Sequence, residues 1–400
     1  MRTVVWLPMS KPAPLLFVSM FAAQAGMLVL ALTLPGVSRE FGVTIAATGQ
    51  LRLLSGIAGG VTAVALALLA GRLDLRRLLI FGLGLLALGS LGSCLAPSFG
   101  ALAAAQFAIG GGLAVVASAA IAAAAEWAAP TRRPSVLSWA LLGQPTAWVV
   151  GMPVAGAAAG IDWRLAWLAV PFAASLLGLV AVRRRPPAPA SSARSENARD
   201  LWRNPAVAGW ALGELFAYAG WSGTLLYCGA LFQESYGTSP ATVGLVLAAG
   251  AAAYFPGTFL ARRWVERGAR RVLIILGLAL AGGVAAFGAA RPGVAFTAVL
   301  FGALVFLAGG RTFAGSTIGL RSSEHKMAVT SIRAAATQFG YLLGAVAGGA
   351  ALALGGYAAV GTVLGALFLC GVLPHLAISV AARPRGASAD DGTLGLAPVR

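Results

Sequence analysis

Charge is what this chain has least of. Only 10% of its 400 residues are Asp, Glu, Lys or Arg, while 59% are hydrophobic. A soluble domain carries roughly a quarter of its residues as charges to cover its surface, so a water-soluble globular fold is excluded. Cysteine is nearly absent: Cys94, Cys228 and Cys370 stand singly in apolar runs. No metal-ligand spacing appears around them, and they read as buried free thiols. Histidine is limited to His325 and His375. The chain offers no nucleophile–base pair, no metal cluster and no sizeable polar domain. No enzyme, no metal and no organic cofactor is therefore expected.

What is present is apolar sequence in blocks of about 20 residues, the length a helix needs to cross a ~30 Å hydrocarbon core at ~1.5 Å per residue. Twelve blocks are predicted, at 13–35, 45–70, 78–96, 101–128, 136–159, 164–182, 206–231, 240–262, 271–290, 293–318, 327–352 and 355–381; they are numbered spans one to twelve. The first is too long for the apolar core of a signal peptide and has no small-residue cleavage site, so it is expected to be a permanent span.

The net charge of +17 invites a nucleic-acid partner, but its distribution argues against one. With the N-terminus inside, 23 of the 29 Lys and Arg fall on one face, at 2, 11, 72–77, 132–133, 183–203, 262–271, 321–326 and 383–400. Arg39, Arg164 and Arg291 fall on the other, and Arg52, Arg311 and Arg333 lie within spans. That asymmetry is the positive-inside pattern. It predicts a multi-pass protein of a bacterial inner membrane with both termini cytoplasmic, whose excess charge meets anionic lipid headgroups.

The two halves of the chain echo one another. Gly71-Arg72-Leu73-Asp74-Leu75-Arg76-Arg77 follows span two, and Arg262-Arg263-Trp264-Val265-Glu266-Arg267-Gly268-Ala269-Arg270-Arg271 follows span eight. Phe41-Gly42-Val43-Thr44 and Tyr236-Gly237-Thr238-Ser239 close spans one and seven. Leu142-Gly143 with Gly151 in span five matches Phe339-Gly340 with Gly348 in span eleven. Residues 1–183 and 206–382 are thus each expected to form a six-helix bundle. Residues 184–205, basic and then rich in Pro, Ala and Ser, read as a cytoplasmic linker, and 383–400 as a disordered tail. Duplicated membrane units of this kind usually move solutes.

On these residues the chain resembles the major facilitator superfamily. Gly71, Leu73 and Asp74 match the family's loop between spans two and three, with Leu75 where Arg is usual and the second Gly missing. Glu266, Arg267, Gly268, Arg270 and Arg271 make the better-preserved second copy. The resemblance implies an all-α integral membrane fold of twelve transmembrane helices in two pseudo-symmetric six-helix bundles. It also implies that these loops, with Gly71, Asp74, Arg76, Arg77, Glu266, Arg267, Arg270 and Arg271, act as gates, Asp74 facing the start of span eleven near Ala328. Gly143, Gly151, Pro153 and Gly156 resemble the glycine-rich stretch in span five of drug–proton antiporters. Leu34-Pro35 before Phe41-Gly42 resembles the arabinose-efflux and drug-efflux branch. One departure concerns coupling: Gln106 stands near the span-four position where the family usually carries Arg.

Ionisable residues inside the membrane are hypotheses of function by default. Glu214, Arg311 and Arg333 fall at comparable depth, roughly 10 Å in at ~1.5 Å per residue, so Glu214 is expected to pair with Arg333 or Arg311 and to serve proton coupling. Trp210, Glu214, Tyr218 and Trp221 form one stripe of span seven; Arg333, Thr337 and Tyr341 form one on span eleven. With Gln24, Arg52, Gln144 and Trp148, the residues Tyr218, Trp221, Thr337 and Tyr341 are expected to line a substrate cavity. His375 reads as packing with a secondary possibility of proton relay. Trp127, Trp163 and Trp202 read as interfacial anchors.

The expected function is a monomeric secondary transporter that moves a small organic molecule, drug- or sugar-like, by alternating access. It is expected to work by proton-coupled efflux driven by the proton gradient. The alternative is a small organic or inorganic anion held by the intramembrane arginines.

Overall fold

The computed structural model describes residues 12–68, 74–183, 204–289, 292–322 and 326–381. The linker at 184–203, the tail at 383–400, and Gly71, Trp202, Arg291 and His325 lie outside them. Every regular element among the described residues is helical. Among the described residues nine stretches are long and apolar enough to cross a membrane. Two of these, Pro240–Ala289 and Ala335–Leu376, have 50 and 42 residues, each enough for two crossings. The backbone breaks at Gly268 in the first and at Gly355 and Gly356 in the second. Helical sequence also runs from Arg133 to Ile161, and with it the twelve-span fold is complete.

Capping side chains start the helices where the apolar blocks begin. Thr44, Asp74, Ser98, Asn204 and Ser239 each accept a hydrogen bond from a backbone N–H in the first turn that would otherwise be unpaired. Span nine begins earlier than the expected 271, because the helix resumes at Ala269 directly after Gly268. Span five is a helix around a π-turn, Ala147–Gly151, flanked by Pro145 and Pro153. Proline removes an i→i−4 bond, and a wider turn absorbs the displaced carbonyls. Span six repeats the device, with Pro171 inside the π-turn Leu168–Phe172.

Gly356 has φ 64° and ψ −159°, a region essentially closed to residues with a Cβ. Gly356→Ala is expected to destabilise the link between spans eleven and twelve by about 1–3 kcal/mol, read as a lower melting temperature of the detergent-solubilised chain. Leu354→Ala, at the exposed residue two positions earlier, is the control and should melt near the native temperature.

Contacts between the two halves gather at one end of the molecule. Span one meets span seven where Gly229 packs against the carbonyl of Ala31 and Gln233 Nε2 donates to Leu32 O at 2.9 Å. Span two meets span eleven through Gln50 Nε2, which donates to Ala345 O at 3.2 Å. Span five meets span eight where a Cβ on Gly156 would lie 2.6 Å from Pro240 O and one on Gly244 would lie 2.5 Å from Met152 O. This end carries the turns at Gly42 and Gly237. Toward the other end Val61 and Val64 of span two, Trp139 of span five, and Phe259 and Trp264 of span eight are exposed, and among the described residues the hydrogen bonds between the halves stay at the first end.

Candidate functional site

Glu214 is completely buried in span seven, where an isolated carboxylate would cost several kcal/mol of lost hydration. Two cations answer it. Arg311 Nη2 of span ten lies 2.9 Å from Oε1, and Arg333 Nε of span eleven donates to Oε2 at 3.3 Å. Arg311 meets Oε1 off the hydrogen-bond direction, so Arg333 makes the aligned bond. Arg333 also donates to Tyr218 Oη at 3.0 Å, to Thr312 O at 3.4 Å and to the hydroxyl of Ser316. Its guanidinium lies 5.7 Å from the centre of the Tyr218 ring. Arg311 Nη2 donates to Gly213 O at 3.3 Å.

Glycines allow this crowding. Gly315 of span ten faces the Glu214 carboxylate, and Gly319 faces the ring of Trp210, leaving no room for a Cβ at either place. Trp210 Nε1 donates to Gly315 O at 2.8 Å, so the aromatic residue of the stripe locks span seven to span ten. One carboxylate shared by two guanidiniums leaves the cluster with a net charge of +1. His375 of span twelve completes its edge. It is buried, its Nε2 has no hydrogen-bond partner among the described residues, and a Cβ on Gly213 would lie 2.6 Å from that nitrogen.

The other expected cavity residues divide. Arg52 of span two is buried with its guanidinium 5.2 Å from the centre of the Tyr341 ring of span eleven, across the junction of the halves. A narrow recess lies there, lined by Arg52 and Tyr341 with Met27, Ser55, Ile109 and Gln338 among others. Thr337 is on the Arg333 stripe, but its hydroxyl donates to the carbonyl of Arg333 at 2.9 Å. Trp221 and Trp148 are half-buried against the core. Gln24 is buried in span one and Gln144 half-buried in span five.

The span-five glycines serve two interfaces. Gly143 packs on Phe17 and Met20 of span one, and Gly151 on Val170 of span six, whereas Gly156 crosses to span eight. Gln106 is buried and donates to Ser93 Oγ at 3.2 Å, tying span four to span three. Asp74 Oδ1 accepts the N–H of Arg77 at 2.7 Å, so it caps span three, the role a short carboxylate takes at a helix start; its expected partner near Ala328 lies outside the described side chains. Arg76 donates to the carbonyls of Val182 and Arg183 at the end of span six, a use of the first loop that ties it to its own half. Glu266 meets Arg262 at 3.7 Å on an exposed helix face, a pairing of small energetic weight; Arg267, Arg270 and Arg271 continue past it along the same helical stretch, on either side of the break at Gly268. Trp163 corrects another expectation. It is buried, and its Nε1 donates to Glu40, which also pairs with Arg164; it clamps span six to the end of span one.

Ser316, Thr312, Gln338 and the adjoining Gly315 escaped the sequence reading. The signal that was available is the density of glycine in span ten, at 309, 310, 315 and 319, which marks a helix closely approached by others.

Comparison with known proteins bears on both fold and family. The sequence model described as the Major Facilitator Superfamily matches residues 16–228 and 210–399. The uncharacterized MFS-type transporter YbcL of Bacillus subtilis (strain 168) is 28% identical over 146 residues, 36% of this chain. The match spans 37% of that protein's length. Among solved structures, a variant of the nucleoside transporter NupG superposes with a TM-score of 0.74 at 14% identity, covering 94% of this chain and 100% of the other. The D-xylose-proton symporter gives 0.74 at 16%, covering 91% and 95%. A bacterial homolog to the human lysosomal transporter Spinster gives 0.67 at 16%, covering 93% and 95%. At these identities the likeness is one of fold.

Proposed function

This chain belongs to the Major Facilitator Superfamily, and on that premise we propose that it is a proton-coupled secondary transporter of a small organic molecule, with Glu214 as the coupling carboxylate. The observation that carries the reading is the burial of Glu214 between Arg311 and Arg333, on three different helices of one half. A carboxylate with two competing partners can be relieved of one without being left bare. Arg333 is the movable partner: its side chain is 22% exposed, against 5% for Arg311, and its bonds to Tyr218, Ser316 and Thr312 keep its other nitrogens satisfied when Nε lets go of the carboxylate. When Nε releases Oε2, Oε2 is free to take a proton from one compartment. When Arg333 returns, the proton leaves to the other.

The asymmetry of Lys and Arg supports a bacterial inner-membrane chain with both termini in the cytoplasm. In that orientation the sealed end, with Gly42 and Gly237, is external, and the conformation is open to the cytoplasm. Efflux, rather than uptake, rests on the antiporter-like glycines of span five. The test is flux in proteoliposomes under an imposed pH gradient. Substrate movement should collapse with a protonophore, and flux indifferent to the gradient would contradict the coupling.

A further inference from the structure

We propose that Arg52 is the receptor for the anionic group of the substrate, and that the class transported is a small monocarboxylate with an apolar or aromatic body. This inference rests on the transporter reading and adds the substrate class to it. Of the three arginines in the spans, Arg311 and Arg333 share Glu214. Arg52 is 9% exposed, and among the described residues no carboxylate lies within ion-pair distance of it. Among the described residues its guanidinium meets the face of Tyr341 at 5.2 Å and no acceptor. A buried cation in apolar surroundings demands a counter-charge, and an aromatic face answers only part of that demand.

The recess explains why the counter-charge is external. Arg52 lines it together with Met27, Ile109, Gln338 and Tyr341, so one cation sits among aliphatic and aromatic walls. Ser55 is already occupied, donating to the carbonyl of Arg52 at 3.0 Å. Met27, Arg52 and Ile109 come from one half, and Gln338 and Tyr341 from the other. A ligand here bridges the two bodies whose relative motion would carry it, and a guanidinium suits a carboxylate by charge and by its paired donors. In this conformation the recess has room for little more than a water, so a guest enters it as the two halves part. The site is separate from Glu214, so proton and substrate would be held on different groups.

The test uses the purified full chain and two probes, benzoate and hexanoate, with benzamide as the uncharged control. At least one carboxylate should raise the melting temperature of the native chain in a concentration-dependent way, and benzamide should not. Arg52→Gln should weaken that apparent affinity by roughly tenfold to a hundredfold, the value of a charge-assisted hydrogen bond. Arg52→Lys should recover part of it. Arg52→Gln orphans no carboxylate and should fold; its own melting temperature checks this. Equal binding of benzoate and benzamide, unchanged affinity in Arg52→Gln, or no response to either carboxylate would overturn the proposal. Carboxylate binding through Arg52 without flux in proteoliposomes would leave this site standing and remove the transport reading. Gradient-driven flux of neutral solutes only would do the reverse.

Discussion

Glu214→Gln is expected to abolish accumulation of substrate against a pH gradient while leaving substrate exchange across the membrane measurable. Exchange needs the two halves to alternate but moves no net protons. Net transport needs a group that gains and loses one, and glutamine fills the same space without titrating. The variant also leaves Arg311 and Arg333 beside each other with no carboxylate, and removing one partner of a buried charge cluster typically costs about 3–5 kcal/mol. The assay therefore includes Glu214→Gln combined with Arg311→Gln, which removes one of the uncompensated cations. The double variant should melt higher than the single one and show the same uncoupled exchange. If either variant accumulates substrate along a pH gradient at the native rate, Glu214 is a structural ion-pair partner and nothing more.

Gly244→Leu is the second large effect. The site leaves no space for a Cβ, with Met152 O at 2.5 Å and the Cα of Gly156 at 3.1 Å from where it would stand. Both neighbours are backbone, on span five of the opposite half, so they cannot rotate aside as a side chain would. The substitution excludes the conformation described here and leaves the one in which this end is open. Transport should fall by more than tenfold, since a cycle missing one of its states cannot turn over. The shift is visible at Ala31, buried in the seal against Gly229. With Cys94, Cys228 and Cys370 replaced, a cysteine at Ala31 should react with a membrane-impermeant maleimide applied to the sealed end in Gly244→Leu and stay protected otherwise. Equal protection in both backgrounds would show that the glycine contact does not hold the end shut.

The fold was legible because a membrane leaves so few choices. Each crossing needs about 20 apolar residues with every backbone group bonded within the helix, so the spans can be counted from hydropathy and the loops from their arginines. The ionic cluster was legible for a related reason. A carboxylate inside an apolar span must find a cation, and only Arg311 and Arg333 stood at its depth in the same half. That it takes both was hidden, because the choice depends on which faces of spans ten and eleven turn toward span seven. The seal was hidden more deeply. The chain has 53 glycines, and nothing in the sequence separates Gly229 and Gly244, which touch the other half, from Gly143 and Gly151, which pack within their own.

Local bonds account for two side chains and a distant one for a third. Asp74 takes the N–H of Arg77, three residues away, at no cost in chain closure. Thr337 shares the stripe of Arg333, yet its hydroxyl returns to the carbonyl one turn back, a common fate of threonine in apolar helices. Trp163 has the composition of an interfacial anchor. Its partner Glu40 lies far off in sequence, at the end of span one, and only the folded arrangement brings the two together.

The central claim is that the two halves close alternately at opposite ends. Pulsed electron–electron distance measurements on spin labels test it most directly, in a background without native cysteines. One pair, Thr44 with Ser239, spans the sealed end; the other, Thr131 with Arg263, spans the open end. All four positions are exposed. Recorded in lipid at acid and at alkaline pH, the two distances should shift in opposite senses, one lengthening as the other shortens. A change of both in the same sense, or invariance of both wherever substrate flux is measurable, would contradict alternating access in this molecule.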